Sequence, residues 1–133
     1  MRKLIAILFL FTLFSGCTEP QSISISPTSE CGIYDIDVHE ARALVDTGEM
    51  FILDVRTVPE YDAGHLINST LIPLSELSDR LDEIPKDEPL LVYCRSGRRS
   101  TTAAGILEEN GFCVIYDVDG GFNDWVAAGY PYE

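Results

Sequence analysis

A chain of 133 residues is long enough to bury one hydrophobic core and too short for two ordinary domains. Its 46% hydrophobic and 23% charged content is that of a globular protein rather than a disordered one. With 22 Asp and Glu against 9 Lys and Arg, the net charge of −13 excludes nucleic acid as a partner, because a phosphate backbone demands a basic footprint.

The first residues read as a processing signal. A short positive stretch, Met1-Arg2-Lys3, precedes the apolar run from Leu4 to Phe14, which suits a signal peptide better than a membrane span. The sequence that follows it, Leu13-Phe14-Ser15-Gly16-Cys17, resembles the lipobox of prokaryotic lipoproteins, with Phe14 standing where Leu is usual. That resemblance implies a signal peptide over residues 1–16, a lipid on Cys17, and an exported protein anchored to the cell membrane, facing the periplasm or the cell exterior. An ordinary cleaved signal or an uncleaved anchor is the alternative. Residues 17–30 are rich in Ser, Thr and Pro and read as a tether, whose twelve residues from Thr18 to Ser29 would reach about 40 Å fully extended. The alternating run Ser22 to Ser26 leaves open a small edge strand there.

Residues 31–133 form the expected domain. "GIYDI" is a strand candidate, and "DVHEARALVDTG" a helix with Asp37 as cap, Glu40 completing a capping box and Gly48 as stop. "MFILDV" has strand length, and "VPEYDAGH" begins with a proline suited to a helix's first turn. "STLIPL" reads as a further strand and "SELSDRLDEIP" as a helix ending at Pro85. "PLLVYC" is a continuous apolar strand, "STTAAGILEENG" a helix stopped by Gly111, "CVIYDV" another strand, and "GGFNDWVAAG" a closing helix. Apolar runs alternating with helices predict an α/β fold of three layers, a central parallel sheet of about five strands with helices on both faces. Ligands of such sheets bind beyond the carboxyl ends of the strands, where Cys94 falls.

Cys94 is followed within five residues by Arg95, Arg98 and Arg99, three of the nine basic residues in the chain. A free thiol is only about 3% ionised at pH 7, and the thiolate is the nucleophile. Arginine charge, backbone N–H groups of a tight turn at Gly97, and the positive end of a helix starting near Ser100 would all favour the thiolate and a small bound anion. The plain structural alternative is an inert buried cysteine beside solvent-facing arginines.

The loop "CRSGRRS" closely resembles the active-site loop of rhodanese-like sulfurtransferases. "LDVRTVPEYDAGHL" (Leu53 to Leu66) and "DVDGGFNDWVAAGYP" (Asp117 to Pro131) are similar to two further segments of that family, in the same order, over Ile33 to Tyr132. The resemblance implies a rhodanese-like fold. It also implies a sulfurtransferase activity in which Cys94 takes the outer sulfur of a donor such as thiosulfate, carries it as a persulfide, and yields it to a thiophilic acceptor: cyanide, a small thiol or a partner protein. Arg95, Ser96, Gly97, Arg98, Arg99 and Ser100 would cradle the sulfur and the small sulfur-containing anion, with no metal or organic cofactor. A persulfide carrier or sensor without turnover, or a partner-binding module, would keep the same loop. Cysteine phosphatases place an arginine six positions after the nucleophile, where this chain has Ser100.

Other polar residues read as structural. Asp54 and Arg56 suit a charge-assisted pair fixing a loop, with Glu60 in support, and His65 suits a turn. His39 and His65 alone, without cysteine pairs at metal spacing, make a zinc site unexpected. After the Gly-His pair the family usually carries Pro-Gly-Ala, and here it is Ile67-Asn68-Ser69. Cys31 and Cys113 are left over; outside the cytoplasm they could pair with each other, or one could resolve Cys94.

Overall fold

The computed structural model describes residues 27–133 together with Gly16. The signal segment, the lipidation position Cys17 and the Ser22–Ser26 run lie outside the described residues. Five strands, β1 (Gly32–Ile36), β2 (Phe51–Asp54), β3 (Thr70–Leu71), β4 (Leu90–Tyr93) and β5 (Val114–Val118), form one sheet in the order β1-β5-β4-β2-β3, every pair parallel. Four α-helices cover it: α1 (Val38–Asp46), α2 (Val58–Ala63), α3 (Arg98–Glu109) and α4 (Gly121–Ala127). The expected α/β class and layering are therefore the observed ones.

Strand alternation explains why β4 is apolar throughout. Leu90 and Val92 face α3, among Leu53, Ala103, Ala104, Leu107 and Ile115. Leu91 and Tyr93 face the other layer, among Ala41, Leu44, Ile52 and Trp125. Both faces are sealed, so every position of β4 is buried. Each such leucine contributes roughly 1.5–3 kcal/mol of transfer free energy. The same parity carries Cys94 onto the α3 side.

Local signals read from the sequence recur as geometry. Asp37 accepts from the amides of His39 and Glu40 while Glu40 reaches back to the Asp37 amide, closing the capping box of α1. Two expected elements differ. The stretch from Ser75 to Pro85 is not an α-helix but two 3-10 turns, Leu74–Asp79 and Leu81–Glu83, broken where Arg80 leaves helical backbone. With proline at either end and only Leu77 and Ile84 buried, it lacks the apolar stripe that would repay a longer helix. The strand expected over Ser69–Leu74 shrinks to Thr70–Leu71, because Pro73 has no amide to extend an edge ladder. At the departure after Gly-His, Asn68 takes a left-handed backbone with φ 64°, which Asn tolerates better than most residues.

Cys31 and Cys113 form a disulfide across a sequence separation of 82, pinning the start of edge strand β1 to the start of β5. Cys94 is the free cysteine among the described residues, so neither of the other two is its resolving partner. Closing so long a loop restricts the unfolded chain most. Reducing this bond, or replacing both cysteines by serine, should lower the unfolding free energy by about 2–4 kcal/mol; urea titration under oxidising and reducing conditions measures it.

Candidate active site

Cys94 stands just beyond β4, 1% exposed, and the chain turns sharply after it. Gly97 takes φ 104°, a left-handed conformation that caps α3 and aims its own N–H at the Cys94 sulfur, 3.1 Å away. Ser100, on the first turn of α3, places its Oγ 3.7 Å from that sulfur and 3.0 Å from the Gly97 carbonyl. The loop is clamped from outside by α4. Phe122 and Asn123 donate their amides to the carbonyls of Cys94 and Arg95, at 2.8 and 3.0 Å. That approach requires Gly121, since a Cβ there would collide with the Cys94 carbonyl and the Arg95 backbone.

These contacts set the acidity of the thiol. Burial works to raise it, but donors from Ser100, Ser96 and Gly97 outweigh burial and hold the Cys94 thiol below its usual range. Of the three contributions expected from the sequence, the hydrogen-bond donors lead and arginine charge is minor. Arg95 and Arg98 are exposed. Arg99 makes a two-pronged pair with Glu60, 2.8 Å on each arm, and its coupling to Cys94 is secondary to that pair. Glu60 in turn caps α2 through the amide and hydroxyl of Thr57, and Arg99 keeps its carboxyl far below the ordinary carboxylate range. An acidic protein thus spends one of its few loop cations on a scaffold carboxylate, and oriented backbone dipoles do the rest.

Asp54 and Arg56 lie in the opposite layer at the end of β2. The Arg56 guanidinium donates to both oxygens of Asp54 at 2.7–3.0 Å and to the Gly64 carbonyl at 2.6 Å. It also lies 4.2 Å from the centre of the Phe122 ring, while the Tyr93 hydroxyl donates to Asp54 at 2.6 Å. This buried cluster couples β2, β4, the Gly64 turn and the α4 start that clamps the Cys94 loop. Burial followed by the neighbouring Asp54 charge pushes the Tyr93 phenol well above its ordinary value, leaving it a donor at all physiological pH. His65 stacks on Tyr61 with ring centres 3.6 Å apart and exchanges backbone hydrogen bonds with Glu133, while His39 contacts the Tyr130 hydroxyl. Among the described residues no group of three or more His, Cys, Asp or Glu side chains is disposed to hold a metal ion.

Two hollows open beside the loop. One of about 420 Å³ is lined by Leu74, Ser96, Arg98, Arg99 and Thr102, and a second of about 320 Å³ by Val55, Arg56, Thr57, Pro73, Leu74, Ser75 and Arg99. The loop and the 3-10 segment together therefore make a mouth with cationic and apolar walls. Sequence reasoning missed Tyr93, next to the nucleophile, and Gly121 and Asp117, which act on the loop from distant positions. The Gly120-Gly121 pair and an aspartate inside an otherwise apolar strand were the available signals.

The family model for the rhodanese-like domain matches residues 37–128, and the chain belongs to that family. It is 42% identical over 74 residues to the uncharacterized protein YqhL of Bacillus subtilis, covering 56% of this chain and 59% of that protein. It is 33% identical over 93 residues to the thiosulfate sulfurtransferase GlpE of Pseudoalteromonas translucida, covering 70% of this chain and 89% of that one. The crystal structure of a rhodanese-related protein from Thermoplasma volcanium superimposes with a TM-score of 0.69 at 30% identity, over 75% of this chain and 97% of the other.

Because Ser100 supplies donors that burial opposes, Ser100→Ala should move the midpoint of Cys94 alkylation upward by about one pH unit. Arg95→Gln should leave it nearly unmoved. Rates of iodoacetamide reaction against pH test both.

Proposed function

We propose that this protein is a sulfurtransferase whose nucleophile is Cys94. The observation that carries the reading is a buried thiol met by the Gly97 amide and by Ser100, in a loop whose Ser96, Arg98 and Arg99 line an adjoining hollow. The relative named a thiosulfate sulfurtransferase supports the donor class. In the first step the Cys94 thiolate attacks the outer sulfur of a thiosulfate-like anion. A Cys94 S–S bond forms, the donor S–S bond breaks, and sulfite leaves with the electron pair. The persulfide carries negative charge on its outer sulfur, which loop amides and nearby arginines offset. In the second step a thiophilic acceptor takes that sulfur and the electron pair of the S–S bond returns to Cys94 as thiolate. Neither step consumes an oxidant or a metal.

The tether completes the proposal: export, lipid on Cys17, and a domain held just off a membrane surface, facing the periplasm or the cell exterior. The Cys31–Cys113 disulfide supports an oxidising compartment. Among the described residues no helix is long and apolar enough to cross a membrane.

Full-length protein treated with thiosulfate should gain the mass of one sulfur on Cys94, and cyanide should then remove it as thiocyanate. Cys94→Ser should do neither. Persulfide that forms but is not passed on marks a carrier, and no persulfide with several donors would sink the reading. For the tether, the native chain should partition into the membrane fraction and Cys17→Ala should leave it; equal partitioning rejects lipidation.

A further inference from the structure

Asp117 is the penultimate residue of β5, where strand parity places it beneath α3 on the face that carries Ile115. It is 3% exposed. Its Oδ1 has no partner among the described residues, and no cation pairs with it there. Its Oδ2 lies 2.7 Å from the Thr101 hydroxyl, which in turn lies 2.9 Å from the Gly97 carbonyl. Thr101 therefore has one hydroxyl hydrogen and two acceptors when Asp117 is ionised. The Gly97 carbonyl is crowded in the opposite sense. The Thr101 amide, the Thr101 hydroxyl and the Ser100 hydroxyl all approach it, at 3.2, 2.9 and 3.0 Å, against two lone pairs. Of these two hydroxyls, that of Ser100 also lies beside the Cys94 sulfur.

We propose that Asp117 is a positioning residue for Cys94, holding a proton that decides which hydroxyl serves the sulfur. With the carboxyl protonated, its O–H donates to Thr101, the Thr101 hydroxyl donates to Gly97, and the Ser100 hydroxyl turns to the thiolate. When the proton leaves to solvent, Thr101 turns to Asp117, Ser100 returns to Gly97, and the thiolate loses a donor. The surroundings favour retention of the proton. Burial pushes the Asp117 carboxyl up, the Ser100 and Thr101 hydroxyls oppose this, and the charges of Asp35 and Asp119 add to it. Asp35 faces it from β1 as its register partner, β4 offers only Val92, α3 offers Ser100 and Thr101, and Asp119 lies in the turn just after β5.

This inference rests on Cys94 as the reactive thiol, and iodoacetamide reads that thiolate without any sulfur donor. In the full chain, Asp117→Asn keeps a donor toward Thr101 at pH values where the wild-type carboxyl has released its proton, so the Cys94 alkylation midpoint should fall by about one pH unit. Thr101→Val removes the relay and returns Ser100 to Gly97, so the midpoint should rise, and Asp117→Asn should add nothing on that background. A loosened structure would move both single variants the same way. Superimposable profiles for wild type and Asp117→Asn, or shifts of one sign in both single variants, would overturn the proposal. Carbon-13 NMR of the Asp117 carboxyl gives a reading without touching it: its midpoint should lie above the ordinary carboxylate range and fall in Cys94→Ser, because the thiolate and the proton stabilise each other. An Asp117 that titrates in the ordinary range in both proteins overturns it equally. Expected profiles without persulfide formation would reject sulfur transfer alone.

Discussion

The amide of Gly97 can point at a sulfur only because its backbone lies in the left-handed region and because α4 leaves the Cys94–Arg95 peptide no room to relax. The two glycines act as a pair. Gly97 supplies the turn, and Gly121 allows the amides of Phe122 and Asn123 to reach the carbonyls of Cys94 and Arg95. Loss of either contact would return the loop to conformations in which its amides face water. The thiol would then keep the cost of burial without the donors that offset it.

Electrostatics in so acidic a molecule follow from where its few cations are committed. Arg56 is buried against Asp54, and the half-buried Arg99 is paired with Glu60. Removing one member of the buried Asp54–Arg56 pair would strand a charge in the core, a situation that costs roughly 3–5 kcal/mol. The stabilisation left for Cys94 comes largely from backbone dipoles and one hydroxyl, which are neutral and already in place. Such donors need no reorganisation when charge appears on sulfur, which is the property a covalent sulfur carrier requires.

The two layers contribute differently to this site. On one side of the sheet, β4 parity and α3 bury the nucleophile beside Ser100, Thr101 and Asp117. On the other, the Asp54–Arg56–Tyr93 cluster fixes the turn at Gly64 and the ring of Phe122, and so the start of α4. The sheet between them is continuous and parallel, and β4 carries side chains of both layers up to the loop. The disulfide stands at the far, amino-terminal edge of β1 and β5, where it limits opening of the edge strand without touching the loop.

What was legible in the sequence is what local physics controls. Runs of apolar residues of strand length, the Asp37–Glu40 box, the proline of α2 and the stop glycines at positions 48 and 111 depend on neighbours within a turn or two, and the elements they announce are present. The Cys94 loop was equally legible, since nucleophile, glycine and helix start occupy seven consecutive residues. The 3-10 segment misled because propensity alone was read where tertiary packing gave a longer helix nothing to bury. The relative weight of the arginines was hidden for a related reason: three arginines near a cysteine in sequence do not reveal that a carboxylate 39 residues away claims one of them. Only the folded chain brings β5 beside β4, and with it Asp117 under the hydroxyls that serve the sulfur. The sequence determined that a thiol would stand in a tight basic turn at the end of a parallel strand. Tertiary structure decided which groups stabilise it, because hydrogen-bond partners separated by tens of residues are chosen by sheet order and strand parity.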